Sequence, residues 1–577
     1  MTSLLQVSIG SYSDKGRKPL NQDCHGSLIP RDSLLASKGV AVVMADGISS
    51  SQLSHIASET TVNSFLDDYY CTSELWSVQH SVERVLAASN AWLFSQTQHS
   101  PYRYDKDKGY VCTCSALVVK GDVAHVFHVG DTRVYRLNQH GLEQLTHDHR
   151  LWVSEQQSHL SRALGIEAHC PFDYQSLRVQ AADVFILATD GVYEFITAAV
   201  LEQALSQHAT DLQAAAKQIV EQAYQAGSDD NLSLQIVRVE QLPKPLAHPL
   251  LETLGSRPVP PDLSAGCSFD GYRIVRQLHA SPRSHVYLAI DEQTLSQVIL
   301  KTPSIEMRAD PAYLERFVSE EWIARRINSA YVVKAASQTR PRQYFYSVFE
   351  YIEGQSLAQW ITDHPKAELG TVRGMVEQIA RGLRAFHRMD MLHQDLKPDN
   401  IMIDATGTLK IIDFGSVWAA GLAETSSEGE SSCLLGTALY AAPEYFLGEP
   451  GSIRSEQFSL AVIAYHMLSG RYPYATKVAR AKSSAAQQRL HYQSVLDKDR
   501  EIPAWIDDAL AKALQLNPDK RYSEISEFLA DLRRPNRQFL NQSRAPLAER
   551  NPLALWQGIA AMLAMLVIFL LTQLNTR

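Results

Sequence analysis

The sequence predicts an α+β chain of several domains, and three observations predict it. Before about Glu240, apolar runs of strand length end in an Asp beside Gly or Asn. Between Glu240 and Cys267, Pro243, Pro245, Pro249, Pro258, Pro260 and Pro261 break the pattern, as in a semi-extended linker. Near the C-terminus, Leu553 to Leu571 runs without a charge. At 577 residues the chain exceeds one ordinary domain. The expected parts are a first domain over 7–239, a proline-rich linker over 240–268 and a second domain over 269–534. A basic stretch over 535–552 and an apolar helix over 553–572 follow.

In the first domain, Val40-Ala41-Val42-Val43-Met44 leads to Asp46-Gly47, and Val184-Phe185-Ile186-Leu187-Ala188 leads to Asp190-Gly191. Asp230-Asn231 opens the alternating run Leu232 to Val237. Each Asp stands at a strand edge in a turn. One such Asp is an ordinary turn signal. Three in one domain suggest a site for a hard divalent cation, which takes carboxylate and carbonyl oxygens.

Further short motifs accompany these acids. Asn21-Gln22-Asp23, Asp46-Gly47, Val129-Gly130-Asp131-Thr132-Arg133, Leu145-Thr146-His147-Asp148-His149, Ser161-Arg162-Ala163-Leu164-Gly165, Asp190-Gly191 and Asp230-Asn231 follow one another in the chain. In this order they resemble the metal-dependent PPM-type serine/threonine phosphatases, over about Val7 to Val239. The resemblance implies an α-β-β-α sandwich with two metal ions, Mn²⁺ or Mg²⁺, sharing a water at one end. It implies that Asp46 bridges both ions and that Gly47 lends its carbonyl. Asp190 and Asp230 would complete one ion, Asp23 or Gln22 would serve the other, and Asp131 could hold a weaker third. The metals would activate water against a phosphoserine or phosphothreonine ester, with no protein nucleophile. Two departures stand out. Lys18 falls where the family's phosphate-clamping Arg is expected, with Arg17 before it, and Lys lacks the bidentate fork. Gln22 replaces a carboxylate that many members carry.

In the second domain, His393-Gln394-Asp395-Leu396-Lys397-Pro398-Asp399-Asn400 sets an acid, a lysine and an asparagine in a short loop, and Asp413-Phe414-Gly415 follows a short hairpin. The segment resembles the catalytic loop of the protein-kinase family, and the likeness spans about Tyr272 to Leu532. It implies a bilobal fold that binds ATP and Mg²⁺. Asp395 would orient a substrate hydroxyl, Lys397 would offset charge on the moving phosphoryl group, and Asn400 and Asp413 would hold Mg²⁺. Lys301 would contact the ATP phosphates and pair with Glu320, with Glu321 the neighbouring alternative. Leu278 and Val286 would flank the nucleotide, and the hinge from Glu350 through Ile352 would meet adenine. Glu444 would end the activation segment and pair with Arg521.

This domain also departs from its family. His279, Ser281 and Ser284 stand where the nucleotide loop expects Gly, whose missing Cβ lets backbone approach phosphates. Gln394 stands where active kinases often carry a phosphate-reading Arg. Glu456 replaces an expected Asp and reads as a tolerated structural anchor.

A net charge of −9 gives no overall basic field for nucleic acid. The seven scattered cysteines suit a reducing cytosol. Cys112 and Cys114 would share one strand face, which favours core packing over a metal clip. The uncharged run has the length of a bilayer-crossing helix. Arg533, Arg534, Arg537, Arg544 and Arg550 precede it against one acid, Glu549, which keeps its N-terminal side in the cytoplasm. The expectation is a signalling enzyme held by one span in the inner (cytoplasmic) membrane, with both enzymatic domains cytoplasmic. It would phosphorylate and dephosphorylate Ser/Thr of proteins, its own kinase domain among them through Thr425, Ser426, Ser427, Ser431, Ser432 and Thr437. Two alternatives are a phosphatase regulated by an ATP-binding pseudokinase and a phosphoprotein-docking membrane scaffold.

Overall fold

The computed structural model describes residues 5–139, 141–154, 157–243, 257–304, 306–307, 310–336, 341–420, 439–497, 502–536, 539–540, 556–557 and 559–567. The activation-segment hydroxyls named above, Cys433, Pro245, Pro249 and most of the basic stretch lie outside these residues. So do Leu553 to Leu555 and Ile568 to Thr572 of the apolar run. Among the described residues, no helix is long and apolar enough to cross a membrane. The membrane-spanning helix expected over 553–572 lies partly outside the described residues, and 556–557 and 559–567 of it are helix.

Strand β3 (Val40–Ala45) is buried at every position, so both its faces must be covered. Alternation divides the work. Ala41, Val43 and Ala45 join a cluster with Phe65 of α2 (Ser54–Cys71) and Val82 of α3 (Val78–His99). Val40, Val42 and Met44 join Phe185, Leu187, Val237 and Val239 of the opposing sheet. The same split occurs there. Ile186, Ala188, Leu234 and Ile236 turn outward to Leu205 of α5 (Ala198–Gln207) and Ile219 of α6 (Leu212–Gln225). The result is four layers, helix–sheet–sheet–helix, around an apolar centre.

One antiparallel sheet has the order β1 (Gln6–Asp14), β12 (Leu232–Gln241), β11 (Val184–Ala188), β6 (Arg133–Asn138), β7 (Gly141–Gln144). The other has β10 (Asp173–Arg178), β5 (Val123–Val129), β4 (Cys114–Lys120), β3 and β2 (Cys24–Leu28). A separate hairpin, β8 (Arg150–Ser154) with β9 (Gln157–Leu160), stands outside both sheets. Short α1 (Asp32–Lys38) and α4 (Asp190–Tyr193) complete the domain. Cys112 and Cys114 are buried and free, and burial pushes the Cys112 thiol up to about 12, so both act as small core hydrophobes.

The second domain is bilobal. A five-stranded antiparallel sheet runs β13 (Ser268–Phe269), β14 (Tyr272–Ala280), β15 (Ser284–Asp291), β16 (Gln297–Pro303), β17 (Ser347–Glu350). Helix α7 (Pro311–Arg326) packs against β17, its first turn capped by Asp310, which accepts from the Tyr313 N–H at 3.1 Å. The chain then enters a helical lobe through α8 (Leu357–Asp363), α9 (Leu369–His387), α10 (Ile453–Ser469), α11 (Ala504–Ala513) and α12 (Ile525–Arg533). Two small sheets sit at the junction of the lobes. They are β18 (Gly354–Ser356), β20 (Ile401–Asp404) and β21 (Leu409–Ile411), and β19 (Met391–Leu392) with β22 (Trp418–Ala419). One apolar cluster serves the strand lobe, and a larger one fills the helical lobe and takes in Trp322, Ile323 and Phe349 from the strand lobe.

Candidate active sites

The first site lies where strand ends of the two sheets converge. Asp46 follows β3, and its backbone is fixed by Thr113, through Thr113 N–H to Asp46 O at 2.8 Å and Asp46 N–H to Thr113 Oγ1 at 3.0 Å. At Gly47 a Cβ would meet the carbonyl oxygens of Gln22 and Ser54 at 2.8 Å, so only Gly fits. Gly191 is tighter still, with the Asn231 carbonyl oxygen 2.1 Å from a Cβ position. The Asp-Gly pairs therefore exist because backbone crowds backbone behind each acid.

The carboxylates of Asp23 and Asp46 lie within hydrogen-bond contact of each other. Thr189 Oγ1 donates to Asp23 Oδ2 at 3.0 Å, while the buried Oδ1 has no hydrogen-bond donor among the described residues. Burial first, and repulsion from the neighbouring acids second, raises these groups: Asp23 to about 6, Asp190 to about 7 and Asp46 well above the usual carboxylate range. Gln22 is turned away. Its amide donates to Ser51 O at 2.7 Å, so between Asp23 and Gln22 it is Asp23 that faces the cluster.

Two cations hold the rim. Lys18 Nζ lies 3.2 Å from Asp230 and donates to Ser49 Oγ at 3.0 Å. Arg17 points elsewhere, to the Gly227 carbonyl at 3.1 Å and over the Tyr224 ring. Arg150, which the motif reading passed over, spans Asp131 at 2.7 Å, Asp190 at 2.7 Å and Glu194 at 3.1 Å. Asp131, expected as a ligand of a weaker third ion, thus meets a guanidinium. Burial raises its carboxyl above the usual range even though Arg150 opposes that. No sequence signal marked Arg150 beyond its place directly after His149.

Other motif residues are scaffolding. Arg133 forms a bidentate pair with Asp148 at 2.7 and 2.9 Å and lies 3.8 Å over the Tyr193 ring. Arg162 pairs with Asp173 at 2.8 Å, and His149 bonds the same carboxylate at 3.0 Å. Among the described residues, no three His, Cys, Asp or Glu side chains already stand as a closed metal cage. The mutual repulsion of Asp23, Asp46 and Asp190, with the unpartnered Asp23 oxygen, nonetheless fits a divalent cation, which would supply the missing positive charge.

The second site spans the interlobe cleft. Lys301 on β16 donates to Glu320 on α7 at 2.7 and 2.9 Å, and to Asp413 at 3.1 Å. Glu321 instead pairs with Arg325 and Arg342 at 2.5 and 2.6 Å, so Glu320 is the partner. Burial alone would lower the Lys301 ammonium, but Asp413 and Glu320 outweigh it and hold it above its usual range. Lys301 in turn pulls Asp413 down to about 2, while burial lifts Glu320 to about 7.

In the loop, Lys397 Nζ donates to Asp395 Oδ2 at 2.8 Å, and Asn400 Nδ2 reaches both the carbonyl and Oδ2 of Asp395 at 2.9 and 3.0 Å. Gln394 and Asp413 take positive φ, +61° and +68°, a strained backbone for residues with a Cβ. The strain is held from below. Glu456, on α10, accepts from the backbone N–H groups of His393 and Gln394 and contacts His387, so the longer acid still anchors the loop. Phe414 is buried between Phe349 and Phe386. Glu444 and Arg521 form a buried bidentate pair at 2.7 Å for each bond.

The turn between β14 and β15 is held by hydroxyls. Ser281 Oγ accepts from the Arg283 and Ser284 N–H groups at 3.3 and 3.0 Å. Ser304 Oγ donates to Pro282 O at 2.6 Å, and Tyr313 Oη donates to Arg283 O at 2.6 Å. Leu278 is 38 % exposed, and Val286 pairs in register with Lys301. At the hinge the Glu350 carboxylate is taken by Lys410 at 2.8 Å, and its N–H by Lys334 O at 3.0 Å. Ile352 is buried beside it.

Residues 15–236 match the family model described as Protein phosphatase 2C, and residues 272–532 match Protein kinase domain. The serine/threonine-protein kinase PknB of Mycobacterium leprae is 30% identical over 280 residues, covering 47% of this chain and 43% of the relative. PknL of Mycobacterium tuberculosis is 30% identical over 266 residues, covering 45% of this chain and 64% of the relative. The chain thus spans less than two thirds of the length of these curated relatives. Among solved structures, the Mycobacterium tuberculosis serine/threonine phosphatase PstP is 19% identical, with a TM-score of 0.35, over 41% of this chain and 100% of that one.

Proposed function

For a chain that joins a protein phosphatase 2C domain to a protein kinase domain, we propose two opposed activities. The kinase phosphorylates Ser/Thr of proteins with ATP, and the phosphatase hydrolyses phosphoserine and phosphothreonine. The observation that carries the reading is that each domain assembles its own charged constellation, one rich in acids and one built on Lys301, Glu320 and Asp413.

In the kinase, Lys301 steadies the ATP phosphates because Glu320 fixes its direction. Asp395 receives the substrate hydroxyl, with Lys397 beside it to offset charge. Asn400 and Asp413 would hold Mg²⁺, which neutralises the phosphates when bound. In the phosphatase, Asp46, Gly47, Asp190, Asp230 and Asp23 would hold Mn²⁺ or Mg²⁺, which lowers the pKa of a bound water. Lys18, on the rim beside Asp230, would meet the phosphate of an incoming phosphopeptide. Arg17, which faces α6, is the alternative.

We read the run Leu553 to Leu571 as a membrane anchor, supported by its lack of charge and its basic N-terminal flank. Detergent-dependent fractionation of the full chain, against one ending at Arg534, tests it. A full chain that stays in the aqueous fraction sinks the anchor.

Incubating the full chain with labelled ATP, with and without Mn²⁺, tests the two activities. Label should enter the protein with Mg²⁺ and leave faster when Mn²⁺ is added. Because the tether is short, each domain meets the other at an effective concentration on the order of millimolar. Mass spectrometry on Asp46→Asn protein should therefore show activation-segment phosphates that wild type lacks. Equal phosphate in both would mean that the kinase domain is not a substrate of its neighbour. One observation favours a second reading. Ser281 takes the backbone N–H groups that a glycine loop would offer to phosphate, as suits an ATP-sensing pseudokinase. MgATP binding without any transfer would select it.

A further inference from the structure

Between α2 and α3, the turn Thr72 to Ser77 leaves its own domain and enters the other. Leu75 is 0 % exposed and belongs to the buried cluster that holds Trp322, Ile327 and Phe386. On one side of it, Glu74 pairs with Arg326 at 2.9 Å, in the last turn of α7, and that guanidinium lies 3.8 Å over the Trp322 ring. On the other side, Trp76 Nε1 donates to Arg388 O at 2.9 Å, and Ser77 N–H donates to Asp390 Oδ2 at 3.3 Å. Arg388 caps α9, and Asp390, at φ +59°, begins the short path to His393. One turn therefore touches both the helix that carries Glu320 and the approach to Asp395.

The turn is shaped within its own domain. Lys38 is 1 % exposed, and its ammonium donates to Thr72 Oγ1 and Ser73 O at 2.7 Å and to Ser81 Oγ at 3.1 Å. A buried ammonium is costly unless its donors are used, so these bonds resist any rearrangement of the turn. Ser73 Oγ accepts from the Leu75 N–H at 3.2 Å, and Ser77 caps α3 by accepting from the His80 N–H at 3.0 Å. The phosphatase domain thus presents a preformed apolar knob with an acid on one flank, and the kinase domain supplies the apolar seat and the arginine.

We propose that Glu74 to Ser77 is an intramolecular docking element through which the phosphatase domain holds α7 against the helical lobe. In this seat α7 keeps Glu320 on Lys301, so the phosphatase domain supports the nucleotide-binding geometry of its neighbour. The proposal rests on the kinase reading only for its effect on transfer; the docking itself is readable without it.

The test uses the full chain with Leu75→Asp, Glu74→Arg, and Glu74→Arg combined with Arg326→Glu. Three quantities are read: hydrogen exchange of α7, affinity for a fluorescent ATP analogue with Mg²⁺, and Mn²⁺-dependent hydrolysis of a phosphoserine peptide. Leu75→Asp should speed α7 exchange at least tenfold and weaken analogue binding at least fivefold, with peptide hydrolysis unchanged. Glu74→Arg should act the same way to a lesser degree, and the charge swap should recover most of the loss. If Leu75→Asp also lost peptide hydrolysis, the Glu74→Arg and charge-swap pair would decide alone. Unchanged α7 exchange in a variant that still hydrolyses the peptide would overturn the proposal, as would a charge swap that recovers nothing. A wild-type chain that binds the analogue but transfers no phosphate would remove the kinase activity and leave the α7 result standing.

Discussion

Asp190 and Asp413 each stand just beyond a short strand, near a glycine, one in each of the two charged clusters. Their carboxyls are pushed in opposite directions, Asp190 up to about 7 and Asp413 down to about 2. Burial dominates at Asp190, with repulsion from Asp131 and Asp230 added. At Asp413 the attraction of Lys301, 3.1 Å away, dominates instead. The difference teaches how each site is charged before any ligand arrives. In the kinase cleft, a lysine placed by the fold already balances the acids. In the phosphatase site Arg150 reaches Asp131 and Asp190 and Lys18 reaches Asp230, while burial and mutual repulsion still raise Asp23, Asp46 and Asp190, a charge pattern that suits a divalent cation.

The largest effects should break this contrast at its centres. Lys301→Met and Asp395→Asn should each cut phosphate transfer by about 100- to 1000-fold, read as labelled-ATP incorporation, with peptide hydrolysis intact. Asp46→Asn should do the converse, removing Mn²⁺-dependent hydrolysis of a phosphoserine peptide and sparing transfer. Comparable loss of both activities in any one variant would mean that the two sites are not electrostatically separate.

Next in size is a structural ion pair inside the kinase domain. Glu444 and Arg521 are almost fully buried, so Arg521→Ala leaves a carboxylate without its partner and should destabilise that domain by about 3–5 kcal/mol. Chemical denaturation should show the kinase transition moving while the phosphatase transition stays.

Arg150→Ala sharpens the other half. It removes charged hydrogen bonds to Asp131 and Asp190, each worth about 1.5–3 kcal/mol. The metal-free phosphatase domain should lose stability, and its melting temperature should respond more strongly to Mn²⁺ than in wild type. A melting temperature in chelator equal to that of wild type would show that Arg150 does not hold the rim.

The smallest change falls on the serine turn. Ser281→Ala frees the Arg283 and Ser284 N–H groups and should alter MgATP affinity by about fivefold, the scale of about 1 kcal/mol for one hydrogen-bonding hydroxyl. Weaker binding would mean that the hydroxyl shapes a working phosphate loop. Tighter binding would mean that it competes with phosphate.

Much of this protein is written in its order of residues. The strand-edge acids beside glycine and the loop His393 to Asn400 are legible in the sequence, because backbone crowding and side-chain chemistry restrict which residues can stand there. The unbroken apolar run Val40 to Ala45 likewise fits a strand covered on both faces. Tertiary structure alone decided which neighbour does which job. Glu320 rather than Glu321 meets Lys301, Asp23 rather than Gln22 faces the acid cluster, and Lys18 rather than Arg17 reaches Asp230. Arg150 on Asp131 and Leu75 within the other domain carried no motif at all. Adjacent residues on a helix or turn point in directions set by packing, and a contact across hundreds of residues leaves no local pattern. Chemistry restricts the residue type locally, but direction and partner are settled only when distant elements pack.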